Sequence, residues 1–271
     1  MKAEGNLRKM KSELTIPVSY SLELHDILEP EQTISMNNLL GKDIRVKWMG
    51  YMNSIISGKK LNKVFGEGLS YQEFMESPLA VPSIMRPELS RIHEGVALRD
   101  YEWEKKHHLT PHTIYLSNTS DLKVGVTRNT QVPTRWIDQG ATQALKIAET
   151  PYRQAAGLIE VELKNFVKDK TAWQKMLKNQ SVFKGNLNEA WDKLLEKIPE
   201  DFEPYILYNE KVHDISYPHL QWPEKIKSFK LEKVDIIEGI LTAIKGQYLI
   251  FDNHKAINIR SHSGYRVQIE W

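Results

Sequence analysis

Residues 111–127 run Pro111-His-Thr-Ile-Tyr-Leu116, Ser117-Asn-Thr-Ser-Asp121, Leu122-Lys-Val-Gly-Val-Thr127. The outer stretches are rich in β-branched and aromatic residues, and the middle one is built from turn formers, so the segment reads as a β-hairpin. Helical periodicity follows it. Arg135 to Ala148 places Ile137, Ala141, Ala144 and Ala148 on one stripe, predicting a helix with a weak point at Gly140, where glycine costs about 1 kcal/mol relative to alanine. Thr150-Pro151 supplies an N-cap and a first-turn proline for a second helix, whose stripe is Ala156, Ile159, Leu163, Phe166 and Val167. Lys170 to Leu177 adds a further helical segment. The expected unit is strand, strand, helix, helix.

Upstream, residues 14–24 and 43–51 alternate apolar with polar, the period of half-buried strands. Periodicity fades from Ser54 to Tyr101, punctuated by Gly58, Gly66, Gly68, Pro78, Pro82, Pro87 and Gly95, and compact domains rarely carry so long an irregular stretch without a reason. Downstream, strands are expected at Val234–Thr242, Gln247–Phe251, Ala256–Arg260 and Arg266–Trp271, joined by turns at Lys245-Gly246, Asp252-Asn253-His254 and Ser263-Gly264. Strands at both ends predict a sheet or small barrel assembled from N- and C-terminal pieces around the middle unit. The fold class is α+β. The expected divisions are an N-terminal β module over 1–107, an α/β core over 108–180, and a helical linker with a C-terminal antiparallel β module over 181–271.

A chain of 271 residues is long enough for more than one core. No run approaches the roughly 18 apolar residues of a membrane helix, and Met1 to Gly5 lacks the apolar core of a secretory signal, so a cytoplasmic protein with no membrane partner is expected. The cysteine count is zero, which excludes disulfides, thiolate zinc sites and cysteine nucleophiles. Net charge is 37 − 35 = +2, too weak a field to argue for a polyanion by itself. Its distribution is uneven: ten basic against six acidic residues from Asp121 to Lys178, then eight acidic against three basic from Asn188 to Asp214.

Within the basic middle, Thr113-Ile-Tyr115, Lys123-Val-Gly125, Arg135 and Glu160 together resemble the GIY-YIG nuclease superfamily over about fifty residues. The resemblance implies that Tyr115 takes the place of the first triplet's tyrosine, Gly125 that of the second triplet's glycine, Arg135 that of the catalytic arginine and Glu160 that of the metal-binding glutamate. Phosphodiester chemistry needs charge neutralisation and usually a metal; a guanidinium and a hard carboxylate oxygen suited to Mg²⁺ would supply both. Two positions depart from the pattern. Thr113 replaces a glycine, and Lys123 replaces the second tyrosine; lysine binds phosphate well but is protonated at pH 7 and is a poor general base. That shifts the expectation from cleavage to binding.

A longer resemblance is carried by Val124-Gly-Val-Thr-Arg-Asn-Thr-Gln-Val-Pro-Thr-Arg-Trp-Ile-Asp-Gln-Gly-Ala141, Gly5-Asn-Leu-Arg-Lys-Met10 and Ile244-Lys-Gly-Gln-Tyr-Leu-Ile-Phe251. These are similar to an uncharacterised bacterial family, domain of unknown function 2797. Its members typically have a cysteine-rich segment like a zinc ribbon. Here the corresponding stretch, about 52–101, has Ser54, Ser57, Ser70 and Glu73 where the resemblance implies paired cysteines. Hydroxyls are poor Zn²⁺ ligands, so no zinc site is expected, and the segment is either held by packing around Trp48, Tyr51, Phe65, Tyr71 and Phe74 or partly mobile.

The leading expectation is a nucleic-acid-interacting protein, for RNA or DNA, that grips the phosphate backbone without efficient catalysis. Lys123, Gly125, Thr127, Arg128, Arg135 and Trp136 would form the contact, with Arg260 and Arg266 making a second rim. One alternative is a Mg²⁺-dependent nuclease using Tyr115, Arg135 and Glu160; another is a protein-interaction or assembly factor acting through 54–101 with no nucleic acid. His107, His108 and His112 read as surface histidines.

Overall fold

A computed structural model describes residues 1–167 and 172–271. In chain order its principal elements begin with strands β1 (Lys2–Leu7), β2 (Lys11–Glu13), β3 (Ser19–Asp26), β4 (Glu29–Ser35), β5 (Asp43–Asn53) and β6 (Lys60–Leu61). The middle holds helices α1 (Tyr71–Glu76) and α2 (Tyr101–His108), strands β7 (His112–Asn118) and β8 (Leu122–Arg128), α3 (Thr134–Asp138), β9 (Gln143–Thr150), α4 (Arg153–Lys164), α5 (Trp173–Leu177), α6 (Leu187–Leu195) and β10 (His213–Asp214). The chain closes with β11 (Lys227–Phe229), β12 (Ile236–Lys245), β13 (Tyr248–Phe251), β14 (Lys255–Asn258) and β15 (Tyr265–Glu270). The α+β class stands. The chain divides into two compact units, one built from residues 1–75, 177–179 and 216–271, the other from 76–176 and 180–215.

The first unit is an 11-stranded, almost wholly antiparallel sheet in the order β11-β14-β13-β12-β5-β15-β1-β3-β2, with β4 on β3 and β6 on β5. N- and C-terminal strands therefore interleave: β5 lies between β12 and β15, and β15 also takes β1. Alternation does the work the sequence implied. In β3, Tyr20, Leu22 and Leu24 are buried between partly exposed neighbours, and in β15 Tyr265, Val267 and Ile269 repeat the pattern. The first strand of the 14–24 reading begins late, at Ser19. Lys2–Leu7 and Glu29–Ser35 are strands beyond those expected.

The second unit holds a four-stranded sheet in the order β10-β9-β7-β8. Its hairpin β7–β8 is in the expected register, with Tyr115 opposite Gly125 and Ser117 opposite Lys123. The helix expected over 135–148 is corrected. Gly140 adopts φ +71, the left-handed conformation that ends α3 after one turn, and Gln143 to Thr150 instead pairs along the whole of β7. Alanines at helical spacing yielded there to a vacant strand edge. The unit is strand, strand, short helix, strand, helix. Thr150 is the last residue of β9 rather than an N-cap; α4 starts at Arg153. Of the expected helix 170–177, Trp173–Leu177 is helical, while Lys170 and Thr171 lie outside the described residues. Ile114, Leu116, Val124, Leu145 and Ile147 form the core with Ile159 and Leu163 of α4 and Trp191 and Leu194 of α6. Among the described residues no helix is long and apolar enough to cross a membrane.

Candidate functional site

Three serines of the first unit, Ser54, Ser57 and Ser70, converge on the carboxylate of Glu73. Ser54 Oγ donates to both Glu73 oxygens at 2.7 Å, the Ser70 amide donates at 2.7 Å, and the Glu73 amide returns a bond to Ser70 Oγ at 3.2 Å. Burial alone would raise the Glu73 carboxyl, but bonds from Ser57, the Ser70 backbone and Ser54 outweigh it and hold it at about 2. Ser54 Oγ in turn accepts from the amides of Ile56 and Ser57. These are the four positions singled out by the zinc-ribbon resemblance. Their geometry is a closed knot in which a single anion is saturated by donors. Of the five aromatics expected to hold the segment, Phe65 meets Tyr71 edge-on at 5.2 Å and lies 6.3 Å from Phe74, while Trp48 packs on Tyr265 and Tyr71 stays exposed.

The second unit assembles a different constellation. Tyr115 points across β8 to Gly125, where an added Cβ would sit 2.6 Å from its hydroxyl, so the glycine makes room for the ring. That hydroxyl donates to Gln139 Oε1 at 3.0 Å and is also hydrogen-bonded with Arg135. Tyr115 is fully buried, and burial pushes it up to about 12, with Glu160 adding to the rise and Arg135 opposing it. Its ring meets Trp136 edge-on at 6.0 Å. Tyr115, Arg135 and Glu160 are thus brought together, with the tyrosine as an internal prop for the arginine.

Helix α4 packs against β7, β8 and β9 of the same sheet. At spacings i, i+4, i+7 and i+11, Arg153, Gly157, Glu160 and Lys164 share one stripe. Glu160 pairs with Lys164 at 3.3 Å. Arg153 is buried and donates to the carbonyls of Ser83 at 2.7 Å and Ile84 at 2.9 Å. Gly157 lets the segment Pro87–Leu89 lie directly on the helix: a Cβ there would come within 2.2 Å of the Glu88 nitrogen. Burial lowers Arg153 to about 10; Glu160 resists that, while Arg128 and Arg135 reinforce it. Arg128, at the end of β8, is hydrogen-bonded to His107 of α2.

The remaining expected residues fall as follows. Lys123 and Thr127 lie on the same face of β8 as Gly125, Lys123 partly exposed and Thr127 buried. Trp136 is buried between Tyr115 and His213, which leaves it no open face for a base. Arg260 and Arg266 belong to the first unit and are engaged there, Arg260 with Glu67 at 2.5 Å and Arg266 with Glu4 and Asp26 at 3.1 Å each. The histidine expectation is corrected: His108 and His112 are buried, and burial followed by the charge of Arg153 lowers each to about 3. Both stay neutral at any physiological pH. Arg153 escaped the sequence reading, although the Arg-x-x-x-Gly-x-x-Glu spacing from 153 to 160 was there to find. Among the described residues no group of three or more His, Asp or Glu is placed to hold a metal ion.

The model of a family described as "Protein of unknown function (DUF2797)" matches residues 41–267. The chain belongs to this family. Neither a curated protein nor a solved structure matches it.

Proposed function

We propose that this member of the DUF2797 family binds the phosphate backbone of a nucleic acid at the α3–α4 face of its second unit, without efficient cleavage. The supporting observation is that the buried Arg153 lies within reach of the charges of Arg128 and Arg135, while Glu160, on the same stripe of α4, is paired with Lys164. Such a surplus of guanidinium groups is an anion site in waiting, since arginine matches phosphate oxygens in bidentate geometry. Lys123 adds a further cation on β8. Binding through phosphates is salt-dependent: for single strands, log K falls with log salt by about 0.7 per phosphate contacted. Anisotropy titrations of labelled RNA and DNA across a salt series test this. Arg135→Gln weakens binding and flattens the slope; salt-independent or absent binding by the wild type refutes the proposal.

Mg²⁺-dependent phosphodiester cleavage by Tyr115, Arg135 and Glu160 is the second reading, favoured by their convergence. Two features weigh against it. Tyr115 is sealed from solvent, so its hydroxyl positions Arg135 instead of meeting a substrate. Glu160 offers one carboxylate already paired with Lys164, and no second carboxylate or histidine among the described residues completes a metal site with it, a poor fit for Mg²⁺. Cleavage of a nucleic acid by purified protein in Mg²⁺, lost in Glu160→Gln, would establish it.

A further inference from the structure

We infer that Arg153 is a third phosphate-contacting arginine and that the site accepts at least two units of negative phosphate charge, as two consecutive diesters or one terminal monoester; this rests on the backbone-binding reading and deepens it. Arg153 is the first residue of α4, and its guanidinium is fixed by two neutral acceptors, the Ser83 and Ile84 carbonyls. Carbonyls orient the group but do not cancel its charge. Its second terminal nitrogen makes no hydrogen bond to the described residues and is not shut off from solvent. A donor thus held and left unfilled is preorganised for a ligand.

Charge counting sets the valence of that ligand. The groups acting most strongly on Arg153 are Glu160, Arg128, Arg135 and Glu88. Glu160 is taken up by Lys164 at 3.3 Å and Glu88 by Arg86 at 2.9 Å. His108 and His112 contribute no charge, since burial followed by the charge of Arg153 lowers each to about 3, and burial also lowers His107. Among the described residues Arg153, Arg128 and Arg135 have no carboxylate bonded to them, the first buried and the other two half-buried. Removing cations from water without partners is costly, so the state with a filled anion site is favoured in proportion to the charge the ligand brings. A single diester brings one charge. Two neighbouring diesters or a monoester dianion bring two, and Arg153 gives the second charge a fixed partner.

The test uses the full chain and short 3′-fluorescein-labelled single strands of RNA and DNA, each with either a 5′-hydroxyl or a 5′-phosphate, titrated over a KCl series. The wild type should show a slope of about −1.4 or steeper, two contacts at about 0.7 each. Arg153→Gln should flatten it by about one contact and weaken binding roughly tenfold or more. Arg128→Gln, which leaves the Ser83 and Ile84 anchor intact, should flatten it likewise and reports even where loss of that anchor compromises folding. A terminal monoester is identified by tighter binding of the 5′-phosphorylated strand, abolished in Arg153→Gln; consecutive diesters, by slopes that ignore the strand end. Unchanged slope and affinity in a folded Arg153→Gln, with Arg135→Gln still weakened, overturn the inference while sparing the backbone-binding reading. An unchanged slope in Arg128→Gln overturns the two-charge count. Salt-independent binding by the wild type removes both.

Discussion

Two polar clusters in this chain have nearly the same ingredients and opposite character. Around Glu73, one negative charge is met by the hydroxyls of Ser54 and Ser57 and by the amide of Ser70. Around Arg153, the charge of Glu160 is met by Lys164, while Arg128 and Arg135 add to the positive charge. The first is complete: every donor has an acceptor, and nothing is left to recruit. The second is in surplus and gains from a ligand. Satisfaction of charge, more than the presence of charged residues, separates a structural knot from a binding face.

Acid should break this contrast most strongly. His108 and His112 are buried within the field of Arg153 and held neutral, so their folded values sit below the unfolded value of about 6.5. The unfolded chain then binds more protons, and stability falls as pH drops below about 6.5 toward 3. With two groups, the slope approaches about 2.7 kcal/mol per pH unit. Chemical denaturation at successive pH values measures it, and His108→Gln should halve the slope. Next in size is Gly157→Ala, whose methyl group meets the Glu88 backbone and not a yielding side chain; a loss of about 3 kcal/mol is expected despite better helix propensity. The knot comes third. Glu73→Ala strands several donors, yet the site is half-open to water, so about 1–2 kcal/mol is lost. Smallest, and sharpest as a discriminator, is Arg135→Ala: it has no carboxylate bonded to it among the described residues, and the Tyr115 hydroxyl keeps its bond to Gln139, so thermal stability should change by less than about 0.5 kcal/mol while nucleic-acid affinity falls. Equal losses at Glu73 and Arg135 would erase the distinction.

How much of this was legible beforehand follows from the range of each interaction. The β7–β8 hairpin announces itself because alternation and turn residues are local. The Glu73 knot was half-visible, since the x-x spacings were plain but their convergence was not. Gln143–Thr150 misled because Ala141, Ala144 and Ala148 have helical spacing, and only the open edge of β7, nearly thirty residues upstream, makes them a strand. Arg153 was hidden for the same reason: its acceptors, Ser83 and Ile84, are about seventy residues away. His108 and His112 looked external because polarity is local and burial is not.

The interleaving of β5 between β12 and β15 also sets a timetable for the chain. During synthesis, β5 emerges long before either of its long neighbours exists, with only the two-residue β6 to pair with. The second unit, contiguous but for a three-residue excursion, has its complete sheet once β10 has left the ribosome. The arginine-rich unit is therefore finished first, and the large sheet must wait, edge exposed, for the final strand to be released.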